Sequence, residues 1–157
     1  MNAPAFTSIL DRPSNTIEKP KPLPVGTYLW MTVGQPKEDK SAKKGTPYVE
    51  FLCKCLQAGE DVDAQALQEA LTNKNTGDVK PLTEVQLKLT FYLTEASAWR
   101  LTEFLDHLVG EDSQDQSPRQ RISASPGRQF LGNIIHEQSD DGKSIFAKIG
   151  QTAPVEQ

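Results

Sequence analysis

From Val85 to Leu93 apolar and polar residues alternate without interruption. Val85, Leu87, Leu89, Phe91 and Leu93 fall on one side, and Glu84, Gln86, Lys88, Thr90 and Tyr92 on the other. Side chains on a strand point to opposite faces in turn. This stretch therefore predicts a strand of a sheet with one buried and one wet face. Two strands are predicted before it. Residues 27–33 place Leu29, Met31 and Val33 on an aliphatic face read as core, and Tyr28, Trp30 and Thr32 on an outward face. Residues 48–56 turn Val49, Phe51, Cys53 and Cys55 inward and Tyr48, Glu50, Leu52 and Lys54 outward. Residues 34–47, with Gly and Pro at the ends, read as a connection.

A helix is predicted after the alternating strand. Thr94 is its expected cap, Ser97, Leu101, Phe104, Leu105 and Leu108 form its apolar stripe, and Gly110 stops it. Trp99 lies nearly opposite that stripe. It is read either as covered by another part of the chain or as a partner surface. Residues 59–82 read as an insertion carrying a short helix, capped by Asp63 and running through Leu71. Residues 111–126 read as a polar loop. Two last strands, 127–137 and 143–149, flank the turn Ser139-Asp140-Asp141-Gly142. Phe130, Gly132 and Ile134 share one face of the first. Ile145, Ala147 and Ile149 are expected to face inward on the second, with Phe146 and Lys148 outward.

Three strands, a helix, then two strands is the connectivity of an OB-fold, a five-stranded Greek-key barrel. The expected architecture is mainly β, with the helix between strands 3 and 4 and the insertion between strands 2 and 3. A parallel α/β sheet would need helices between most strands. An immunoglobulin-type sandwich would need about seven strands and no central helix. The expected organisation is a flexible Pro-rich arm over residues 1–24, the barrel over 25–150 and a flexible tail over 151–157.

The chain has 157 residues, with 17 Lys and Arg against 21 Asp and Glu, a net charge of −4. That total argues against phosphate binding until it is divided along the chain. Residues 1–18 hold Arg12 against Asp11 and Glu18, net −1. Residues 19–54 hold seven lysines against Glu38, Asp39 and Glu50, net +4. The remainder holds nine basic against sixteen acidic residues, net −7. A basic first hairpin on an acidic body permits electrostatic binding at one face.

An OB barrel usually binds over strands 2–3 and the loops joining strands 1–2 and 4–5. The strand 1–2 loop carries Lys37, Lys40, Lys43 and Lys44. Expected outward positions supply Tyr28, Trp30, Tyr48, Lys54, Lys88, Tyr92, Phe146 and Lys148. Aromatic rings among lysines match what a single nucleic-acid strand requires, rings for the bases and ammonium groups for the phosphates.

Other chemistry is sparse. Cys53 and Cys55, with His107 or His136, could be half of a metal site, but their place in an apolar strand favours two small buried side chains. The pair gives no disulfide framework, in keeping with a cytoplasmic setting. There is no phosphate-cradling glycine loop and no histidine with an obvious nucleophile partner, so no enzyme, cofactor or metal is expected. No apolar run approaches the roughly 18 residues of a membrane span, and Met1 to Ile9 has no secretory pattern.

Leu23-Pro24-Val25-Gly26-Thr27-Tyr28, followed by a lysine-rich loop closing in Lys44-Gly45-Thr46-Pro47, resembles bacteriophage-encoded single-stranded DNA-binding proteins of small OB type. So do Ala98-Trp99-Arg100-Leu101, Gly127-Arg128-Gln129-Phe130-Leu131-Gly132 and Asp141-Gly142-Lys143. The resemblance spans roughly residues 23–150. It implies coating of single strands in phage DNA replication or recombination, in the host cytoplasm. Many such proteins end in an acidic, partner-recruiting tail, whereas the last eight residues here contain one acid, Glu156. The expected partners are single-stranded DNA, a replication or recombination protein and a possible second copy. The alternative expectation is an OB module that binds a replication or host protein and no DNA.

Overall fold

The computed structural model describes residues 21–155, together with Leu10, Asp11, Pro13 and Ser14. Most of the expected N-terminal arm and the last two residues of the expected tail lie outside the described residues. The fold is mainly β, with six strands in one antiparallel sheet. The strands are β1 (Gly26–Thr32), β2 (Lys37–Lys40), β3 (Pro47–Ala58), β4 (Gln86–Tyr92), β5 (Gln129–Gln138) and β6 (Ile145–Ala153). Within residues 21–155 the α-helices are α1 (Ala64–Leu71), α2 (Ala98–Val109) and α3 (Pro118–Ser123).

The long strand β3 organises the sheet. β4 pairs with it from Tyr48↔Tyr92 to Lys54↔Gln86. β2 pairs with its first residues and β1 with its last, both on the edge opposite β4. β1 pairs on its other edge with β5, and β5 pairs with β6. β4 and β6 are the outermost strands, and no ladder joins them among the described residues, so the sheet is open there. α2 packs across the opening against both strands. Its Phe104 ring meets Phe51, Phe91 and Phe130 at centroid distances of 5.0, 5.1 and 5.0 Å.

β2 is a strand where a connection was expected. Its four residues are all exposed, so no apolar alternation could announce it. Its ladder with Pro47–Glu50 holds it. Gly34 and Gly45 have φ of +65° and +67°, the left-handed region that suits the bends at either side.

α1 starts and ends where the sequence placed it, with the Asp63 carboxylate accepting from the Ala66 amide at 2.9 Å. α2 begins at Ala98, later than expected. Thr94 instead heads the preceding turn, where its hydroxyl accepts from the Ser97 amide at 3.2 Å. The stripe Leu101, Phe104, Leu105 and Leu108 is buried as predicted. The expected loop 111–126 contains a 3-10 turn, Glu111–Ser113, and α3. A capping box starts α3: the Ser117 hydroxyl accepts from the Gln120 amide and the Gln120 side chain accepts from the Ser117 amide. One buried guanidinium ties this region together. Arg121 donates to the Asp106 carboxylate at 2.6 Å, the Gly110 carbonyl at 3.1 Å and the Ser113 hydroxyl at 3.0 Å. β6 runs to Ala153, past the expected start of the tail, and Ile145 is exposed at its hairpin end, not inward.

The largest correction concerns β1. Tyr28 and Trp30 point into the core with 0% exposure, and Thr32 follows them, while Leu29, Met31 and Val33 lie on the half-buried outer face. Aromatic rings offer more apolar area to bury than Leu, Met or Val. Their polar atoms are also satisfied: the Tyr28 hydroxyl donates to the Pro24 carbonyl at 2.7 Å and the Trp30 indole N–H to the Gly132 carbonyl at 3.1 Å. Gly132 makes the space. A Cβ there would sit 3.1 Å from Trp30 Cδ1 and 2.9 Å from Ile149 Cγ2.

Candidate nucleic-acid interface

The outer face of β3 and β4 carries a ring pair. Tyr48 and Tyr92 are directly opposed, with centroids 6.2 Å apart and planes at 66°. Tyr92 is 49% exposed. Residues opposed in an antiparallel pair share a face. The same face therefore carries Glu50, Leu52 and Lys54 from β3, Thr90 and Lys88 from β4, and Lys37 and Asp39 from β2. Met31 of β1, opposed to Lys54, adds an apolar neighbour that the sequence had assigned to the core.

The lysines of this face are not equivalent. Lys88 pairs with Glu50 at 3.7 Å, and Lys37 with Asp39 at 3.8 Å. Such exposed pairs are worth about 0–1 kcal/mol, so a phosphate can displace them. Lys40 ends β2 opposite Pro47, on the other face from Tyr48, and Lys43 and Lys44 lie in the exposed turn after it. These three and Lys54 make no ion pair among the described residues. On the other face of the hairpin, Arg119 of α3 pairs with Glu38 at 3.1 Å, an exposed pair of the same kind.

The structure separates the other expected site residues from this face. Tyr28 and Trp30 are removed from it by burial. Phe146 and Lys148 lie on the β5–β6 hairpin, where Phe146 opposes Glu137 and Lys148 opposes Ile135. Lys148 is ion-paired to Glu137. That hairpin extends beyond the start of β1, since Gly26 already pairs with Ile134. In the ladder it is divided from β3 by β1. The Lys40–Lys44 turn lies at the opposite end of β1's edge of the sheet.

Cys53 and Cys55 are buried free thiols, and burial pushes them up to about 12 and about 11. His136 Nε2 contacts the Leu23 carbonyl at 2.7 Å, and His107 Nδ1 contacts the Thr152 hydroxyl at 2.8 Å. Among the described residues no group of three His, Cys, Asp or Glu is placed to hold a metal ion, and no helix is long and apolar enough to cross a membrane.

The pair that the sequence left out of the nucleic-acid face, Trp99 being read as covered or as a partner surface, is Trp99–Arg100. Trp99 is 55% exposed at the start of α2, and the Arg100 guanidinium carbon lies 5.5 Å from its ring centroid. The adjacent Trp-Arg dipeptide at a helix start was the visible signal. Compared with known proteins, the chain matches no family model and no curated sequence.

Proposed function

We propose that this chain is a non-enzymatic, sequence-tolerant single-stranded DNA-binding protein of OB type, acting in phage DNA replication or recombination in the host cytoplasm. The observation that carries the reading is the Tyr48–Tyr92 pair, with Tyr92 exposed, on the sheet that carries Lys43 and Lys44 in its β2–β3 turn, where neither lysine makes an ion pair among the described residues. Each base stacked on such a ring contributes about 1–3 kcal/mol, whatever its identity. The strand connectivity supports the OB type. Without β2, the order is β4-β3-β1-β5-β6, the order of an OB barrel whose closing pair, here β4 and β6, is left unladdered.

Fluorescence anisotropy of a labelled oligo-dT tests the proposal at about 50 mM and about 200 mM salt. Saturable binding that weakens with salt is expected. Binding indifferent to salt, or none at the lower concentration, would sink it. Replacing Lys40, Lys43 and Lys44 by Ala should flatten the salt slope by about 2, since each single-strand phosphate contact adds about 0.7.

A second reading is an interaction module for a replication or host protein. It is favoured by the β5–β6 hairpin, which leaves Ile145 and Phe146 exposed. A stoichiometric protein complex from a pull-down, with DNA binding absent, would select it.

A further inference from the structure

The seam between β4 and β6 holds a groove of about 610 Å³. Leu89 and Phe91 of β4, Trp99 and Arg100 of α2, and Gly150 and Thr152 of β6 are among its lining residues. Three observations distinguish it from an ordinary surface fold. Trp99 is the exposed one of the chain's two tryptophans, and Trp30 is the sealed one. The Arg100 guanidinium carbon lies over that exposed indole, 5.5 Å from its centroid, and Arg100 makes no ion pair among the described residues. The groove also borders the strand that bears Tyr92: its Leu89 and Phe91 alternate with Lys88, Thr90 and Tyr92 on the opposite face of β4. Only five residues separate Tyr92 from α2, and the Ser97 hydroxyl donates to the Tyr92 carbonyl at 2.9 Å, which pins the helix start to the strand end.

We propose that Trp99 and Arg100 form a second nucleotide-binding platform, over which a single DNA strand passes after leaving the Tyr48–Tyr92 face across the free edge of β4. The inference rests on the single-stranded DNA reading and extends its path. An open indole face takes a base of any identity. An unpaired guanidinium held against that indole supplies the cation for the adjoining phosphate, and its planar fork suits phosphate oxygens. β4 is laddered on one side only, so its other edge presents backbone N–H donors without ladder partners along this path. Glu103, the groove's one carboxylate, faces the same space and confines the phosphate to the Arg100 side.

The chain contains the reporter for the test. Unlabelled oligo-dT of about 20 nucleotides, longer than the roughly 4–16 nucleotides that one OB domain covers, is titrated while tryptophan emission is followed. In parallel, anisotropy of the labelled strand measures binding. Quenching that saturates with binding is expected in the parent chain and in Trp30→Phe. It should vanish in Trp99→Phe, which keeps a ring and tests the reporter alone. Trp99→Ala and Arg100→Ala should each weaken the long oligonucleotide about tenfold while leaving one of about 4 nucleotides unaffected. Tyr48→Ala should weaken both lengths. Circular dichroism checks that each variant is folded, and if Trp30→Phe fails that check, persistence or loss of quenching in Trp99→Phe decides alone. Binding by anisotropy with unchanged emission, or quenching that survives in Trp99→Phe, overturns the platform and leaves the single-stranded DNA reading standing. No binding by anisotropy overturns both.

Discussion

Two of the strand-borne aromatic pairs have opposite uses. Tyr28 and Trp30 sit two residues apart on β1 with ring centroids 6.0 Å apart, and both are sealed. Tyr48 and Tyr92 face each other across β3 and β4 at nearly the same distance, and both are displayed in part to solvent. Ring chemistry does not distinguish them. Ladder position and neighbours do. β1 is flanked on both edges, by β3 and β5, and its rings lie over Gly132 and under Pro24, which give room and hydrogen-bond partners. β4 is flanked on one edge, and its outer face meets charged residues. Burial also raises the Tyr28 hydroxyl pKa far above its ordinary value, so the buried phenol stays neutral.

Substitutions can break this contrast in order of size. Trp30→Ala should cost about 3–5 kcal/mol, the range for deleting a large core side chain, seen as a lower urea midpoint. A loss below about 1 kcal/mol would mean the indole is not a core element. Gly132→Ala should cost about 1–3 kcal/mol, because the added methyl overlaps Trp30 and Ile149. A Trp30→Phe background should recover part of that loss, and equal losses in both backgrounds would separate the glycine from the indole. Tyr48→Ala reverses the pattern. It should weaken oligo-dT by about 1–3 kcal/mol while stability changes by less than about 1 kcal/mol. A stability loss with unchanged DNA affinity would make the displayed pair as structural as the sealed one.

The smallest effect concerns the start of β1. Asp61 accepts from the Thr27 amide at 2.9 Å and from its hydroxyl at 2.9 Å, and these bonds, the amide first, hold the carboxyl below its ordinary 3.8. A carboxyl lowered in the folded state stabilises above its unfolded value, and that contribution fades as pH falls through the folded one. The melting temperature of Asp61→Asn should therefore lie slightly below the parent's at neutral pH. The two should converge as the medium is acidified below 3.8, and a gap that stays constant would discount the clamp.

Much of the scaffold was legible because its signals are local. The alternation of β4, the Asp63 cap of α1 and the stripe of α2 each needs only its own segment. The face of β1 was not legible, because both faces are apolar and the choice depends on Gly132, about a hundred residues away in the chain. β2 was hidden for the opposite reason: it buries nothing and exists through its pairing with β3. The site followed the same division. Tyr48, Tyr92, Lys54 and Lys88 lie on the expected face because β3 and β4 alternate cleanly. The distance of Phe146 and Lys148 from that face depends on the ladder order. α3 had a readable start in Ser117-Pro118-Arg119-Gln120, a capping-box pattern with proline at the first helical position, lost within a polar stretch.

The Arg121 guanidinium has a consequence for the timing of motion. It is the shared partner of α2, the Gly110 turn and Ser113, and it rides on α3. α2 and α3 cannot part here without leaving the buried Arg121 cation without its Asp106 carboxylate. The amides of the last turn of α2 and those of α3 should therefore exchange with deuterium as a single cooperative unit. α3 is six residues long and would otherwise fray first. Its exchange clock is instead set by a helix twice its length.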